Sequence, residues 1–453
     1  MKKTLLYSLA VMASLALASC AGDYDDWGSP QANEQEASAA KGVTFTNGSE
    51  AEASAADADG IINLVTINVT DPNTSSYALK KVKINGDTIP GKLVGNSVQV
   101  SASELEELVC SQNKSRASVA RDLKVETILS LNLTSGEALA PMGETTGKFT
   151  PAPTPAIDEQ GYYMLGQVNG NEWDATSPVW MNKISDGVYQ LKVTTTADKN
   201  WFKFYAGSKF VSNDWTSINA GALGCKENGS EDAFGFIIYN GDSWGELQTP
   251  VIPGAGTWIV TLDMNNLTYT VQKPILYMAG DANGWKHSDV LNSEDGVHYT
   301  GYMYLNQNGF KFCTQKNWNG TNYGGAFFGE SEDNIMMTQE AGFYQVDVDL
   351  SAKTYTLTPF TIGIIGSATP KAWDGDTEMT YNPEERCWEL KNVKLIDGEM
   401  KFRHTNDWNL NWGGPLDALV HDGDNIAVAA GTYDIKLEVN WAEGTAKCVM
   451  TKK

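Results

Sequence analysis

Apolar and polar residues alternate strictly through Tyr344-Gln345-Val346-Asp347-Val348-Asp349-Leu350 and resume in Thr354-Tyr355-Thr356-Leu357 after a Ser351-Ala352-Lys353 break. A period of two places one set of side chains in a core and the other in water, so this segment predicts a hairpin. Trp258-Ile259-Val260-Thr261-Leu262 with Thr268-Tyr269-Thr270-Val271, and Tyr433-Asp434-Ile435-Lys436-Leu437 with Lys447-Cys448-Val449-Met450, repeat the pattern. Further upstream, Ile61 to Val69, Leu79 to Ile84, Ser97 to Val100 and Val125 to Leu133 read as strands. Ala102 to Ser111 reads as a short helix capped by Ser101 or Ser103. The fold class expected is all-β.

The three hairpins close three copies of a longer unit. Each copy opens on a strand into a glycine and then a tryptophan: Tyr162-Tyr163-Met164-Leu165-Gly166 with Trp173, Leu276-Tyr277-Met278-Ala279-Gly280 with Trp285, and Gly363-Ile364-Ile365-Gly366 with Trp373. A Lys-Phe strand follows, as Phe202-Lys203-Phe204, Phe310-Lys311-Phe312 and Met400-Lys401-Phe402-Arg403. Then comes a polar loop bearing tryptophan, at Asp214-Trp215, Lys316-Asn317-Trp318 and Asp407-Trp408 through Asn411-Trp412-Gly413-Gly414. Units of this length suit small β-sandwiches.

Breaks in composition divide the 453 residues accordingly. Pro151-Ala152-Pro153-Thr154-Pro155 is a stiff linker, and Lys273-Pro274 and Pro359-Phe360 separate the repeats. The expected units are an N-terminal immunoglobulin-like sandwich at 41–150 and β-sandwich modules at 160–272, 275–358 and 360–453. Of 14 tryptophans, Trp27 alone precedes the proline linker, so the first unit lacks the aromatic feature of the repeats. Spacing or docking is the duty expected of it.

The extreme N-terminus reads as a processing signal: Lys2 and Lys3, an apolar stretch from Leu5 to Leu17, then Leu17-Ala18-Ser19-Cys20. That ending looks like a bacterial lipobox, which makes 1–19 a signal peptide and Cys20 the lipidated residue; an ordinary signal peptide is the alternative. Acidic Asp23, Asp25 and Asp26 and the polar stretch to residue 40 form a flexible tether. Formal charge is −23 and becomes −25 once the signal and its two lysines are removed. So acidic a chain is a poor partner for nucleic acid. The five cysteines other than Cys20 are scattered singly, with no metal-ligand spacing. Cys387 and Cys448 could meet within one module; no disulfide framework is expected.

Alternation places Met400 and Phe402 on the core face and Lys401 and Arg403 on the other. Lys311 and Lys203 align with Lys401, whereas Cys313 and Tyr205 stand where Arg403 stands; Lys316 is the substitute cation expected in the middle copy. An indole face matches the apolar C–H face of a pyranose, while Lys, Arg and Asn reach its hydroxyls. Two aromatics at an angle fit a curved α-linked chain better than a straight one. The candidate sites are therefore Trp373, Lys401, Arg403, Trp408, Asn411 and Trp412 in the last copy, Trp285, Lys311, Lys316, Trp318 and Tyr323 in the middle copy, and Trp173, Lys203 and Trp215 in the first. Packing roles are expected for Trp180, Trp201, Trp258, Trp388 and Trp441. No acid recurs in step with the tryptophans as a glycosidase pair would require, and no nucleophile or phosphate motif is present. A calcium site at Asp422-Gly423-Asp424-Asn425 is equally well read as a surface turn. Expectation therefore falls on a binder, with no cofactor or metal. An adhesion protein, a hydrolase accessory and a binder of another polysaccharide are the alternatives.

A lipobox cysteine, a tryptophan-poor first domain and tandem modules with Lys-Phe-Arg, Asn-Asp-Trp and Asn-Trp-Gly-Gly resemble the SusE/SusF family of outer-membrane starch-binding lipoproteins, along essentially the whole chain. Three repeats look more like SusF, because SusE-type chains carry two. The resemblance implies a non-catalytic, lipid-anchored protein facing outside the cell, with an immunoglobulin-like domain and carbohydrate-binding modules. Implied partners are starch or another α-glucan, the outer membrane and an outer-membrane glycan transporter complex. It also implies that each module sets two aromatics and a Lys or Arg against α-1,4-glucan. Trp373, Arg403 and Trp412 match best. The middle module offers Trp285, Lys311 or Lys316, and Tyr323 or Trp318; the first offers Trp173, Lys203 and Trp215.

Overall fold

The computed structural model describes residues 42–58, 60–441 and 443–453. The expected signal peptide, tether and lipidation site at Cys20 lie outside the described residues. Nearly every described element is a strand, so the chain is all-β. No helix among the described residues is long and apolar enough to cross a membrane.

The N-terminal unit is a two-sheet sandwich. One sheet runs Val43–Asn47, Ile61–Val69, Ser97–Ser101, Gly91–Val94; the other is built around Arg121–Leu133, flanked by Met142–Thr150 and Thr74–Ile84. Strand Ile61–Val69 breaks its alternation where a register shift between Asn63 and Val65 buries both Leu64 and Val65. The helix is Ala102–Asn113, and the Ser101 side chain accepts from the Glu104 amide to cap it.

Modules 1 and 3 are two-sheet sandwiches with the same plan. In module 3 the outer sheet is ordered Thr377–Glu378, Ile362–Ile365, Gly398–His404, Asn411–Gly413, Val420–His421, and it packs on the sheet of Thr380–Asn382, Cys387–Leu395, Gly431–Asn440 and Thr445–Lys452. In module 2, strand Asp289–Asn292 pairs on both sides, so eight strands form one continuous sheet that folds onto itself. The predicted hairpins are present, the middle one with Asp349 opposite Thr354.

Pairing register makes the three copies comparable atom for atom. Tyr163 faces Tyr205, Tyr277 faces Cys313 and Gly363 faces Arg403; one step on, Leu165, Ala279 and Ile365 face Lys203, Lys311 and Lys401. The alternating phenylalanines fill the cores, with Phe204, Phe312 and Phe402 fully buried.

Neighbouring units differ in how they meet. Modules 2 and 3 keep separate cores but join through an apolar contact: Phe343 of module 2 packs on Trp388, and Tyr302 stacks on Trp441 at 4.6 Å. Trp441 therefore packs, as does Trp388, which is buried. Trp201 and Trp258 are half-buried. Trp180, on the edge strand Val179–Trp180, packs on one side only: its ring lies 5.2 Å from Tyr163 and edge-on to Phe210, and the rest is exposed. Modules 1 and 2 meet through polar contacts such as Lys192 Nζ to the Gly296 carbonyl, 3.0 Å. The five described cysteines are buried and unpaired.

Candidate glycan-binding platforms

Module 3 presents its tryptophans through two loops, each held by buried polar groups. In the first loop, the Thr369 hydroxyl donates to the carbonyls of Gly366 and Ala372, at 3.0 and 3.3 Å. Ala372 adopts φ +50°, which turns the chain sharply just before Trp373. Gly366 cannot be replaced, since a Cβ there would lie 2.2 Å from the Glu399 carbonyl and its φ is +144°. In the second loop, Asn411 Nδ2 donates to the Trp408 carbonyl (3.0 Å) and to Asp422 (2.6 Å). Asp422 thus serves the loop, and Asn425 donates to Glu399, so the Asp422–Asn425 turn is engaged within the module.

Between these loops lies Arg403. Its Nε and Nη2 donate to the two carboxylate oxygens of Asp376, each at 2.8 Å, in the fork-to-fork geometry that gives the strongest pairs. Side-chain exposure is 8% for Arg403 and 1% for Asp376. Asp376 also accepts from the Asn406 amide at 2.8 Å, which ties the second loop to the same carboxylate. The guanidinium lies 4.4 Å from the Trp408 ring centroid, a cation–π contact that supports the indole from below. Trp373 and Trp408 are exposed, 6.3 Å apart and tilted by 32°. Lys401 is half-buried on the strand beside them.

Trp412 requires a correction. It pairs with Phe402 on the core face, is fully buried, donates its indole N–H to the Gly444 carbonyl at 3.1 Å, and stands edge-on to Trp441. No face is open to a ligand. The polar company of Asn411 and Gly413 disguises a strand, Asn411–Gly413, whose alternation sends Asn411 to the site side and Trp412 inward.

Module 2 repeats the platform with different residues. Asn283 replaces Thr369: its Oδ1 accepts from the Gly280 amide at 3.1 Å, and its Nδ2 donates to the Met278 carbonyl and to Asp289. Trp285 itself takes φ +61°. Trp285 and Trp318 are exposed, 6.5 Å apart and tilted by 48°. The supporting cation is Lys311, whose ammonium lies 4.7 Å from the Trp318 centroid and donates to the Glu332 carbonyl at 2.8 Å. Glu332 also accepts from Asn322 Nδ2 at 2.8 Å; the carboxyl is held below its ordinary range chiefly by that bond and secondly by Lys311. Cys313, in the Arg403 position, donates its thiol to the Asn317 carbonyl just ahead of Trp318. Lys316, the expected substitute cation, is exposed, and the role falls on Lys311 instead, because its place on strand Phe310–Cys313 brings the ammonium under the ring. Tyr323 is the counterpart of Trp412: it pairs with Phe312 and packs against the core.

Module 1 does not assemble such a pair. Its loop after the Lys-Phe strand forms the helix Trp215–Ala220, with Asp214 as N-cap. That helix covers the outer face where Tyr163 and Tyr205 stack at 5.4 Å with Ile218 and Ala222. Trp173 is half-buried against this cluster, and Trp215 stands exposed at the helix start. Lys203 instead lines an open groove of about 670 Å³ with Asn219, Tyr239, Asn240, Asp242 and Glu246. Burial pushes the Lys203 ammonium below its ordinary range.

Asp376, Thr369, Asn283, Glu332 and the groove residues of 219–246 escape sequence reasoning. They are common polar types in loops, and their role is visible only once the tryptophan or cation that each one holds has been placed.

Residues 20–151 match the family model of the outer membrane protein SusF N-terminal domain, and residues 156–273 match that of the first starch-specific carbohydrate-binding module of SusF. The outer membrane protein SusF of Bacteroides thetaiotaomicron is 30% identical over 497 aligned positions, covering 99% of this chain and 100% of that one. The crystal structure of SusF from Bacteroides thetaiotaomicron aligns with 23% identity and a TM-score of 0.47, over 90% of this chain and 99% of that one. With a full-length relative at that identity and two SusF domain models in register with the first two units, the chain belongs to the SusF family.

Proposed function

We propose that this protein is a non-catalytic lipoprotein of the outer membrane that captures starch or related α-glucan chains outside the cell for uptake. The observation that carries the reading is the repeated platform: in modules 2 and 3, two exposed indoles stand 6.3–6.5 Å apart at an angle, with a cation beneath one of them. Tilted rings receive the faces of neighbouring residues in a curved chain. Arg403 Nη1 has no partner among the described residues and is the donor available to a sugar hydroxyl, with Lys401 beside it. The description of the module model that matches residues 156–273 names the same ligand. Stacking contributes about 1.5–3 kcal/mol per aromatic, and association costs offset much of it. Each platform then binds near the millimolar range, about −4 kcal/mol. Platforms joined on one chain and engaging one polymer gain about 10²–10⁴-fold in avidity.

Affinity electrophoresis in amylose tests this directly. The full-length chain is expected to be retarded and to release no reducing sugar. Replacing Trp285, Trp318, Trp373 and Trp408 together by alanine is expected to remove most of the retardation. Release of reducing sugar, or retardation unchanged in the fourfold variant, overturns the proposal.

A further inference from the structure

We propose that the N-terminal domain holds the wall of the module 1 groove in place, with Arg116 as the positioning residue. The inference rests on the proposed glucan binding, extended here to this groove because residues 156–273 match the starch-specific module. Most of the groove around Lys203 is made by the segment 239–247, which carries Tyr239, Asn240, Asp242 and Glu246. Inside module 1 that segment is tied at its ends, where Tyr239 pairs with Leu223 and Leu247 packs on the outer aromatic cluster, and further by Trp244 against Phe236 and by Asn240 Nδ2 to the Asn219 carbonyl. The counter-charge for Asp242, in the middle of it, comes from outside. Arg116 crosses from the N-terminal domain and donates through Nη1 and Nη2 to both oxygens of Asp242, at 2.7 and 2.8 Å. Nη1 also donates to the Ile237 carbonyl at 2.6 Å, and the guanidinium lies 4.1 Å from the Trp244 centroid. The Arg116 amide and the Ser115 hydroxyl both bond to Asn266, which seats the arginine's own backbone on the module.

The pair is sealed, with side-chain exposures of 5% for Arg116 and 0% for Asp242. A carboxylate with no access to water depends on its partner, and without the arginine it stays ionised only by turning out to solvent. Because Asp242 is itself a wall residue, that movement deforms the groove. Module 3 uses the same device internally, where Asp376 grips Arg403 beneath Trp408 and also holds the second loop. In module 1 the carboxylate belongs to the module and the arginine to its neighbour, so the groove wall is held from another domain.

The test uses the full-length chain with Trp285, Trp318, Trp373 and Trp408 replaced by alanine, leaving module 1 as the reporter. Calorimetric titration with a soluble α-1,4-gluco-oligosaccharide is combined with hydrogen exchange across 239–247. Arg116→Ala is expected to weaken binding about three- to thirty-fold and to speed exchange in 239–247 while leaving 431–452 unchanged. Arg116→Lys, which keeps the charge without the fork, restores part of the affinity, and it serves alone if Arg116→Ala does not fold. Lys226→Ala, which breaks the exposed Lys226–Glu107 bridge between the same two domains, leaves both readouts unchanged. Affinity unchanged in the Arg116 variants overturns the proposal whatever the exchange shows. If the parent with Arg116 intact does not bind, the glucan reading of module 1 fails, and exchange alone then decides the clamp: slow exchange in Arg116→Ala refutes it.

Discussion

Trp408 and Trp412 lie four residues apart in one loop-and-strand segment, and alanine at each is expected to fail in opposite ways. Trp412 is fully buried and donates to Gly444. Removing so large a core side chain costs about 3–5 kcal/mol, with the Gly444 carbonyl left unpaired in addition. Residues 275–453, whose two modules join through an apolar contact, have the size for which 1 kcal/mol shifts the midpoint by about 2–4 °C. Trp412→Ala should therefore lower the melting temperature of residues 275–453 by about 6–20 °C. Trp408 is 46% exposed, and its interior contact is the cation–π face on Arg403. Its loss costs about 0.5–1 kcal/mol of stability, whereas a missing platform removes about 1.5–3 kcal/mol of binding, or roughly 10- to 150-fold. The assay pairs calorimetric melting with titration by a soluble α-glucan in a Trp285→Ala, Trp318→Ala background, at a temperature where every variant is folded. Trp412→Ala that melts normally yet does not bind, or Trp408→Ala that binds normally, would refute the assignment of platform and core.

Three further outcomes follow from the same geometry. Asp376→Ala should destabilise module 3 by about 3–5 kcal/mol, because it leaves Arg403 buried and unpaired, while Asp376→Leu with Arg403→Met should recover stability in thermal melts but not glucan binding. His287 packs edge-on against Trp318, and burial holds its pKa below the ordinary imidazole value of about 6.5; its contribution is fully present above that value and is lost as pH falls through the lowered one, so melting of 275–453 should decline there and His287→Gln should flatten the decline. Residues 360–453 expressed alone should be less stable and more prone to self-association than 275–453, as light scattering would show, because Phe360, Trp388 and Trp441 lose the cover of Phe343 and Tyr302.

Much of the molecule is legible in the chain because period-two alternation is a local property. It reveals the strands, the hairpins, the core phenylalanines and the alignment of Lys203, Lys311 and Lys401, all of which recur in the pairing registers. The threefold repeat likewise points to Trp285 and Trp373, whose loops leave the sheet directly after a glycine. Three matters are decided by tertiary structure. Which tryptophan of Trp408 and Trp412 faces out depends on where strand Asn411–Gly413 begins, and a shift of one residue reverses every face. Which cation supports the platform depends on which strand position lies under the ring, which gives the role to Arg403 in one module and to Lys311 in the other. The partners that hold those cations and walls, Asp376, Glu332 and the Arg116–Asp242 pair, are distant in sequence. A buried charge takes whatever counter-charge the fold brings to it, and in module 1 that counter-charge comes from another domain, 126 residues away in the chain.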